Sequence, residues 1–290
     1  MIGTITKAIA GFYYVNVEHN IYECRAKGSF RNNKITPVVG DKVEIVVVDA
    51  QKKKGNVEKV LPRKNVFIRP AVANVDNIAI VTSGTTPKVD LMLLDKLLVM
   101  YQMQGITPFI CINKADELKT DDEVIEHVYR NIGYDIIITS AKVGLGVQKL
   151  QDMLKDKTTI FTGQSGVGKS SLINAILGKD MFETGVLSQK ISRGKNTTRH
   201  IELVELQQGG YILDSPGFSS IKLDKITHED LEVYYPEFIE YIGGCKFTGC
   251  SHIKEIGCRI KDALERGEID NGRYERYIQI YNMLKDANKY

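Results

Sequence analysis

Two short stretches of this 290-residue chain hold residue types that could do chemistry. The first is Gly163-Gln164-Ser165-Gly166-Val167-Gly168-Lys169-Ser170, followed by Ser171. Glycines at this spacing let consecutive backbone N–H groups curl around a phosphate, and a helix opening at Lys169 adds partial positive charge. Lys169 at the end of the loop suits the β and γ phosphates of a nucleotide, and the Ser170 hydroxyl suits Mg²⁺. Outside a strand–loop–helix context, the same string would be an ordinary glycine-rich turn. The second stretch is Cys245, Cys250, His252 and Cys258, three thiolates and one imidazole within 14 residues. That is a full tetrahedral set for one structural Zn²⁺, and it leaves no open position for catalysis. A redox pair or unrelated buried thiols are the competing readings. Cys24 and Cys111 stand alone.

Three further strings qualify the phosphate loop. Asp214-Ser215-Pro216-Gly217 follows an apolar run, and an acid at the tip of such a strand is where a phosphate-loop enzyme holds Mg²⁺. Pro-Gly then permits a sharp turn near the γ-phosphate. Asn113-Lys114-Ala115-Asp116 resembles the guanine-specificity motif of GTPases. There the aspartate accepts hydrogen bonds from guanine N1–H and the 2-amino group. Adenine cannot supply that pair, and a buried acid left unpaired costs about 1–3 kcal/mol. Ser140-Ala141-Lys142 resembles the second base motif, whose backbone N–H meets guanine O6. The order is therefore base, base, phosphate loop, acid, whereas most GTPases begin with the phosphate loop. Permuting a compact domain with neighbouring termini preserves its site. It also runs the chain from Asp214-Ser215-Pro216-Gly217 into the domain that carries the cysteines after only about ten residues, so a loop that responds to the γ-phosphate is wired to a second domain.

Positioning these strings requires a parallel sheet. Apolar runs at 77–81, 108–112, 135–139 and 158–161 read as buried strands, and 90–104, 121–131, 146–154 and 169–177 read as helices between them. The alternation predicts an α/β fold, with both base strings at the C-terminal ends of strands, where open sheets bind ligands. Strands at 201–205 and 211–213 complete it. Residues 1–65 differ: runs at 4–9, 13–17, 21–26 and 43–48 are rich in β-branched and aromatic residues and separated by turn residues. About five strands in that length fit a small closed barrel of the OB-fold type. From Thr227 the chain reads as helical, at 229–238, 260–266 and 271–287, with Tyr274, Tyr277, Ile278, Tyr281 and Leu284 on one face of the last. The expected domains are 1–65, a barrel that binds RNA; 66–225, a circularly permuted phosphate-loop GTPase; and 226–290, a helical zinc-binding domain.

Composition narrows the class. Hydrophobic residues make up 43% and charged residues 26%, ordinary for a soluble chain with a real core. No apolar run spans a bilayer and no signal peptide is visible, so a cytoplasmic protein with no membrane partner is expected. The net charge of +3 is uneven. Residues 1–65 hold 12 basic and 6 acidic residues, whereas 226–290 hold 9 and 12. A basic barrel, with Lys52, Lys53 and Lys54 in one turn, hints at a polyanion partner.

Together, the basic OB-like start, the permuted motifs and the Cys-Cys-His-Cys segment resemble the circularly permuted RsgA GTPase family, over the whole chain. The resemblance implies an enzyme that cleaves the β–γ phosphoanhydride of GTP to GDP, slowly alone and faster on the small ribosomal subunit. It implies contact with ribosomal RNA, a role in late maturation of the 30S subunit, one zinc ion, and Mg²⁺ with the nucleotide. The string Arg193-Gly194-Lys195-Asn196-Thr197-Thr198-Arg199 matches the family's first switch, with Thr198 as the Mg²⁺-sensing threonine and Thr197 its alternative. Lys169, Thr198, Asp214 and Gly217 then form the catalytic set, and Ser170, Thr198 and Asp214 the magnesium set. Two positions depart from common patterns. Phe218 stands where many GTPases place a water-orienting glutamine, so slow intrinsic hydrolysis is expected. Asn196 stands where the family often has histidine, and an amide cannot take a proton near neutral pH. A monomer is expected. The competing functions are a GTP-dependent switch that binds a non-ribosomal protein through its zinc domain, and a nucleotide-independent RNA chaperone. Intact Lys169, Ser170 and Asp214 disfavour the latter.

Overall fold

The computed structural model describes residues 1–290 except 28–29, 31–35, 69, 118–119, 180, 183–200, 215–222, 224–225 and 288–290, and the side chains of 120–124. The chain divides into two compact units. One comprises Met1–Ala79, Gly146–Thr162 and Lys169–Pro216; the other comprises Ile80–Leu145, Gly163–Gly168 and Gly217–Tyr290.

In the first unit, strands β1 (Ile2–Ile9), β2 (Phe12–Val17), β3 (Asn20–Ala26), β4 (Lys42–Asp49) and β5 (Lys54–Val60) close a barrel in the order β1-β2-β3-β5-β4. Alternation along the strands sends Ile5, Val15, Cys24, Val43, Ile45 and Val57 inside, all at most 2% exposed. The β1–β2 and β2–β3 turns run through left-handed residues, Ala10-Gly11 and Glu18-His19, which match the twist of a tight hairpin. The β3–β5 pair is parallel, so the connection between them must cross the barrel. A short antiparallel pair, β6 (Val66–Ile68) with β7 (Ala71–Ala73), follows the barrel and has no counterpart in the sequence reading.

A six-stranded sheet carries the α/β part in the order β10-β9-β8-β11-β13-β12. Its strands are β8 (Asn77–Ser83), β9 (Phe109–Asn113), β10 (Ile136–Ile138), β11 (Thr158–Gly163), β12 (Val204–Glu205) and β13 (Tyr211–Asp214). The β9–β10 and β11–β13 pairs are parallel. All five residues of β9 are buried, as a strand of a covered parallel sheet must be. The helices between strands are α1 (Leu91–Gln102), α2 (Thr120–Asn131), α3 (Val147–Leu154) and α4 (Lys169–Leu177). Asp90 caps α1 by accepting from the Leu93 N–H at 2.9 Å. The strand expected at 201–205 shrinks to the two residues of β12, antiparallel to β13. The preceding residues pair elsewhere: the Leu203 N–H donates to the Thr6 carbonyl at 2.8 Å, and Glu202 bridges to Lys7 of β1.

The C-terminal part of the second unit builds its own core from Leu231, Tyr235, Phe238, Ile260, Tyr277 and Ile280, all at most 1% exposed. Helices α5 (Arg259–Glu265) and α6 (Asn271–Ala287) lie near the expected positions. Tyr274, Tyr277, Tyr281 and Leu284 of α6 are buried as its spacing predicts, and Ile278 packs partly buried against the same core. The helix expected over 229–238 is instead two 3₁₀ turns, Leu231–Tyr234 and Pro236–Tyr241. Pro236 is the reason: its ring drives Tyr235 to an extended conformation, φ −110° and ψ 100°, which ends the first turn. No described helix is long and apolar enough to cross a membrane.

Candidate active site and metal centre

In the second unit the two base strings and the phosphate loop are laced together by one side chain. Asn113, at the C-terminal tip of β9, is 2% exposed. Its Nδ2 donates to the carbonyls of Val167 and Gly168, at 3.0 and 3.4 Å. Its Oδ1 accepts from the Thr139 hydroxyl at 3.3 Å and from the Ala141 N–H at 3.2 Å. Lys114, held at φ 65°, sends Nζ to the Gly166 carbonyl at 2.9 Å and to the Thr86 carbonyl. Two residues of the first base string thus brace the loop at Gly166–Gly168.

Asp116 occupies the next position of that string. Its Oδ1 accepts from the Ser140 hydroxyl at 2.6 Å, and the Lys142 ammonium lies 3.4 Å from Oδ2. The Ser140 hydrogen bond, opposed by desolvation and helped by Lys142, holds the carboxyl below its ordinary range. An ionised carboxylate only accepts, and this one can meet two N–H donors on one edge of a base.

Glycine is required where the loop is tightest. At Gly163, φ is 134° and a Cβ would stand 2.1 Å from the Val81 carbonyl oxygen. At Gly168, φ is 90° and a Cβ would stand 2.5 Å from Asn113 Nδ2. The Gln164 side chain accepts from the Asp90 N–H at 3.2 Å, tying the loop to the start of α1.

In the first unit, α4 opens on Lys169 and Ser170, and β13 ends on Asp214. The Ser170 hydroxyl donates to Asp214 Oδ2 at 3.5 Å. Among the described residues, Asp214 Oδ1 is buried with no hydrogen-bond partner. Burial raises the Asp214 carboxyl while Lys169 and Ser170 draw it down, and burial lowers Lys169 while Asp214 opposes that. A buried orphan oxygen beside a hydroxyl is a donor set that a hard cation fits.

Cys245, Cys250, His252 and Cys258 converge in the second unit, with their ligand atoms within 4.8 Å of one another. Cys245 Sγ lies 3.9 Å from Cys258 Sγ, and His252 Nδ1 lies 3.3 Å from Cys258 Sγ. A tetrahedral ion with metal–sulfur bonds of about 2.3 Å sets ligands roughly 3.8 Å apart, so these four residues could hold one metal. Burial and the neighbouring thiols push Cys250 up to about 12, a charge cost that a bound cation would reverse. The opposite ring nitrogen, His252 Nε2, meets the Glu232 carboxylate, which fixes the ring with Nδ1 toward the sulfurs. Tyr274 OH donates to the His252 carbonyl at 2.5 Å. Glu255 takes the Ser251 hydroxyl at 2.6 Å and the N–H groups of Ser251, Ile253 and Lys254.

Sequence spacing does not disclose Glu232, which lies 20 residues before His252. Nor does it disclose the charges that fasten α6 to α1. Asp95 of α1, fully buried, accepts from Arg273 and Arg276 of α6 and from Tyr129 OH of α2. Arg273 also pairs with Glu237 at 2.8 Å and stacks over Tyr235. The only signal available was an arginine at a core position of an amphipathic helix. Thr198 with the rest of the 193–199 string, and Gly217 with Phe218, lie outside the described residues.

Base-reading strings that precede the phosphate loop, with an acid after it, define a circularly permuted GTPase. Models of the RsgA GTPase family and of the RsgA N-terminal domain match residues 60–224 and 2–56. A protein of Ruminiclostridium cellulolyticum named small ribosomal subunit biogenesis GTPase RsgA is 49% identical, over 100% of this chain and 95% of its own. The solved structure of YloQ, titled a circularly permuted GTPase, is 36% identical with a TM-score of 0.79, over 99% of this chain and 95% of that one. YjeQ from Thermotoga maritima is 33% identical with a TM-score of 0.82, over 98% of each. The chain belongs to the RsgA GTPase family.

Proposed function

We propose that this GTPase acts in late biogenesis of the small (30S) ribosomal subunit and hydrolyses GTP chiefly when bound there. The observation that carries the nucleotide half of this reading is Asp116, kept ionised by Ser140 and aimed from the string whose Asn113 braces the phosphate loop. In this reading Asp116 accepts from guanine N1–H and the 2-amino group, and the backbone of 140–142 faces O6. The loop 163–168 and the α4 N-terminus, with Ser171 following, cradle the phosphates. Lys169 neutralises charge on the β and γ phosphates. Ser170 and Asp214 hold Mg²⁺, which supplies charge neutralisation on the phosphate oxygens when bound, and Thr198 and Gly217 sense the γ-phosphate. Zn²⁺ is the metal we assign to the cysteine–histidine set, on the softness of three thiolates.

The subunit half rests on the named relatives and on Lys52, Lys53, Lys54 and the basic residues near them, which we assign to ribosomal RNA phosphates. We keep 1–65, 66–225 and 226–290 as functional segments of a monomer working in the cytoplasm. One experiment tests the whole reading: GTP turnover with and without purified small subunits, with ATP as control. Stimulation of GTP turnover alone is the expected result. Equal turnover with and without subunits at low salt overturns the subunit assignment, and equal use of ATP overturns the base assignment.

A further inference from the structure

Within the first unit the barrel does not hang from the α/β part by its chain connection alone. It grips the hairpin formed by β12 and β13. The Leu203 N–H donates to the Thr6 carbonyl of β1 at 2.8 Å, and Lys7 Nζ lies 2.6 Å from Glu202 Oε2. His19, in the β2–β3 turn, lies 3.1 Å from Glu205. Asn16 of β2 donates from Nδ2 to the Tyr211 hydroxyl at 3.1 Å. Two barrel strands and one barrel turn therefore hold residues 202, 203, 205 and 211.

Those positions lie next to the hydrolytic residues in the chain. β13 begins at the gripped Tyr211 and ends at Asp214, whose carboxylate stands 3.5 Å from the Ser170 hydroxyl. At its other end the gripped segment begins three positions after Arg199, the last residue of the Arg193–Arg199 string. A strand is stiff over four residues, so a displacement of Tyr211 is carried to Asp214 rather than absorbed.

We infer that the barrel positions the magnesium half of the site, with Thr6, Lys7 and Asn16 acting through Glu202, Leu203 and Tyr211. Subunit stimulation then enters the hydrolytic site through the barrel. A polyanion engaged by the barrel changes the barrel's hold on the β12–β13 hairpin, and Asp214 follows. This inference rests on the proposed subunit-stimulated function. Lys7 and Glu202 are positioning residues, not catalytic ones, because neither touches a reacting group.

Charge reversal tests it. Lys7→Glu and Glu202→Lys each set like charges against each other, and the double exchange restores an opposite pair. All four proteins are assayed for GTP turnover alone, for turnover with saturating small subunits, and for subunit affinity by sedimentation. Tyr211→Phe, which removes the acceptor of Asn16, serves as an independent variant. Expected are unchanged basal turnover and subunit affinity, and stimulated kcat about fivefold lower in each single variant, with recovery in the double exchange. Tyr211→Phe is expected to fall in the same direction. Single variants with wild-type stimulated kcat overturn the inference. So does a loss explained entirely by weaker subunit binding, or a double exchange no better than the singles. Wild-type protein that subunits fail to stimulate would instead sink the function on which the inference rests, a distinguishable result.

Discussion

In the site proposed here, Asp116 and Ser140 would place the base specificity in single atoms. An asparagine at 116 would present an amide N–H where the carboxylate accepts. Asp116→Asn should weaken GTP binding by about 100-fold, the equivalent of roughly 3 kcal/mol for a charged pair of hydrogen bonds. Xanthosine triphosphate, whose 2-oxo group accepts, should bind better to the variant than to the parent. Titration with a fluorescent analogue of each nucleotide measures both. The depressed Asp116 value also sets a pH dependence. Binding needs the ionised form, so affinity persists as pH falls through the ordinary carboxylate range and fails only below it. Ser140→Ala removes the largest cause of the depression, and its loss of affinity should begin at a higher pH. GDP titrations from neutral to acid, with identical curves for parent and variant, would refute this.

At the scale of elements, the cysteine–histidine cluster and α6 are set by contacts distant in sequence. The Cys-x4-Cys-x-His-x5-Cys spacing is enough to mark a candidate metal site, because thiolates so close repel one another without a cation. It cannot reveal Glu232, since the 3₁₀ turn that presents it exists only because Pro236 breaks the expected helix. Glu232→Gln keeps the shape and loses the charge behind His252 Nε2. Metal affinity should fall 10- to 100-fold, read by competition with a chromogenic chelator, and chelation should cost helical signal in both proteins. The strings of the candidate nucleotide site were legible because each is local: a strand tip, a turn, a helix start. Asn113 was legible as a motif member but not as a brace, because Val167 lies 54 residues away. Asp95, Arg273 and Arg276 were illegible for the same reason. A pair 178 residues apart leaves no periodic trace in either helix. Burying such charges costs more than burying leucines unless every one is partnered, and here the two arginines face two carboxylates and a phenol.

At the scale of the whole molecule, the order barrel, base strings, phosphate loop, acid, metal segment was readable end to end. Charge was readable only as a sum, since the barrel's surplus could not be assigned to a face. If Lys52 and Lys53 of the β4–β5 turn and Lys54 at the start of β5 meet phosphates, replacing all three with glutamine should weaken subunit binding. It should also lower the slope of log affinity against log salt by roughly three, one for each contact. Sedimentation at several salt concentrations decides this. An unchanged slope would leave the lysines as a solvated turn and move the contact elsewhere on the barrel.

The pairing of β1 with residues 202 and 203 bears on how deletion experiments are read. Removing the first 65 residues to isolate a minimal GTPase also strips the Leu203 amide of its acceptor and the Tyr211 hydroxyl of its donor. On the proposed reading, a truncated protein that no longer answers to ribosomes has lost the module assigned to the subunit and the scaffold for the β12–β13 hairpin together. Its silence cannot be charged to either. Point changes at Lys7 or Glu202 separate the two; truncation does not.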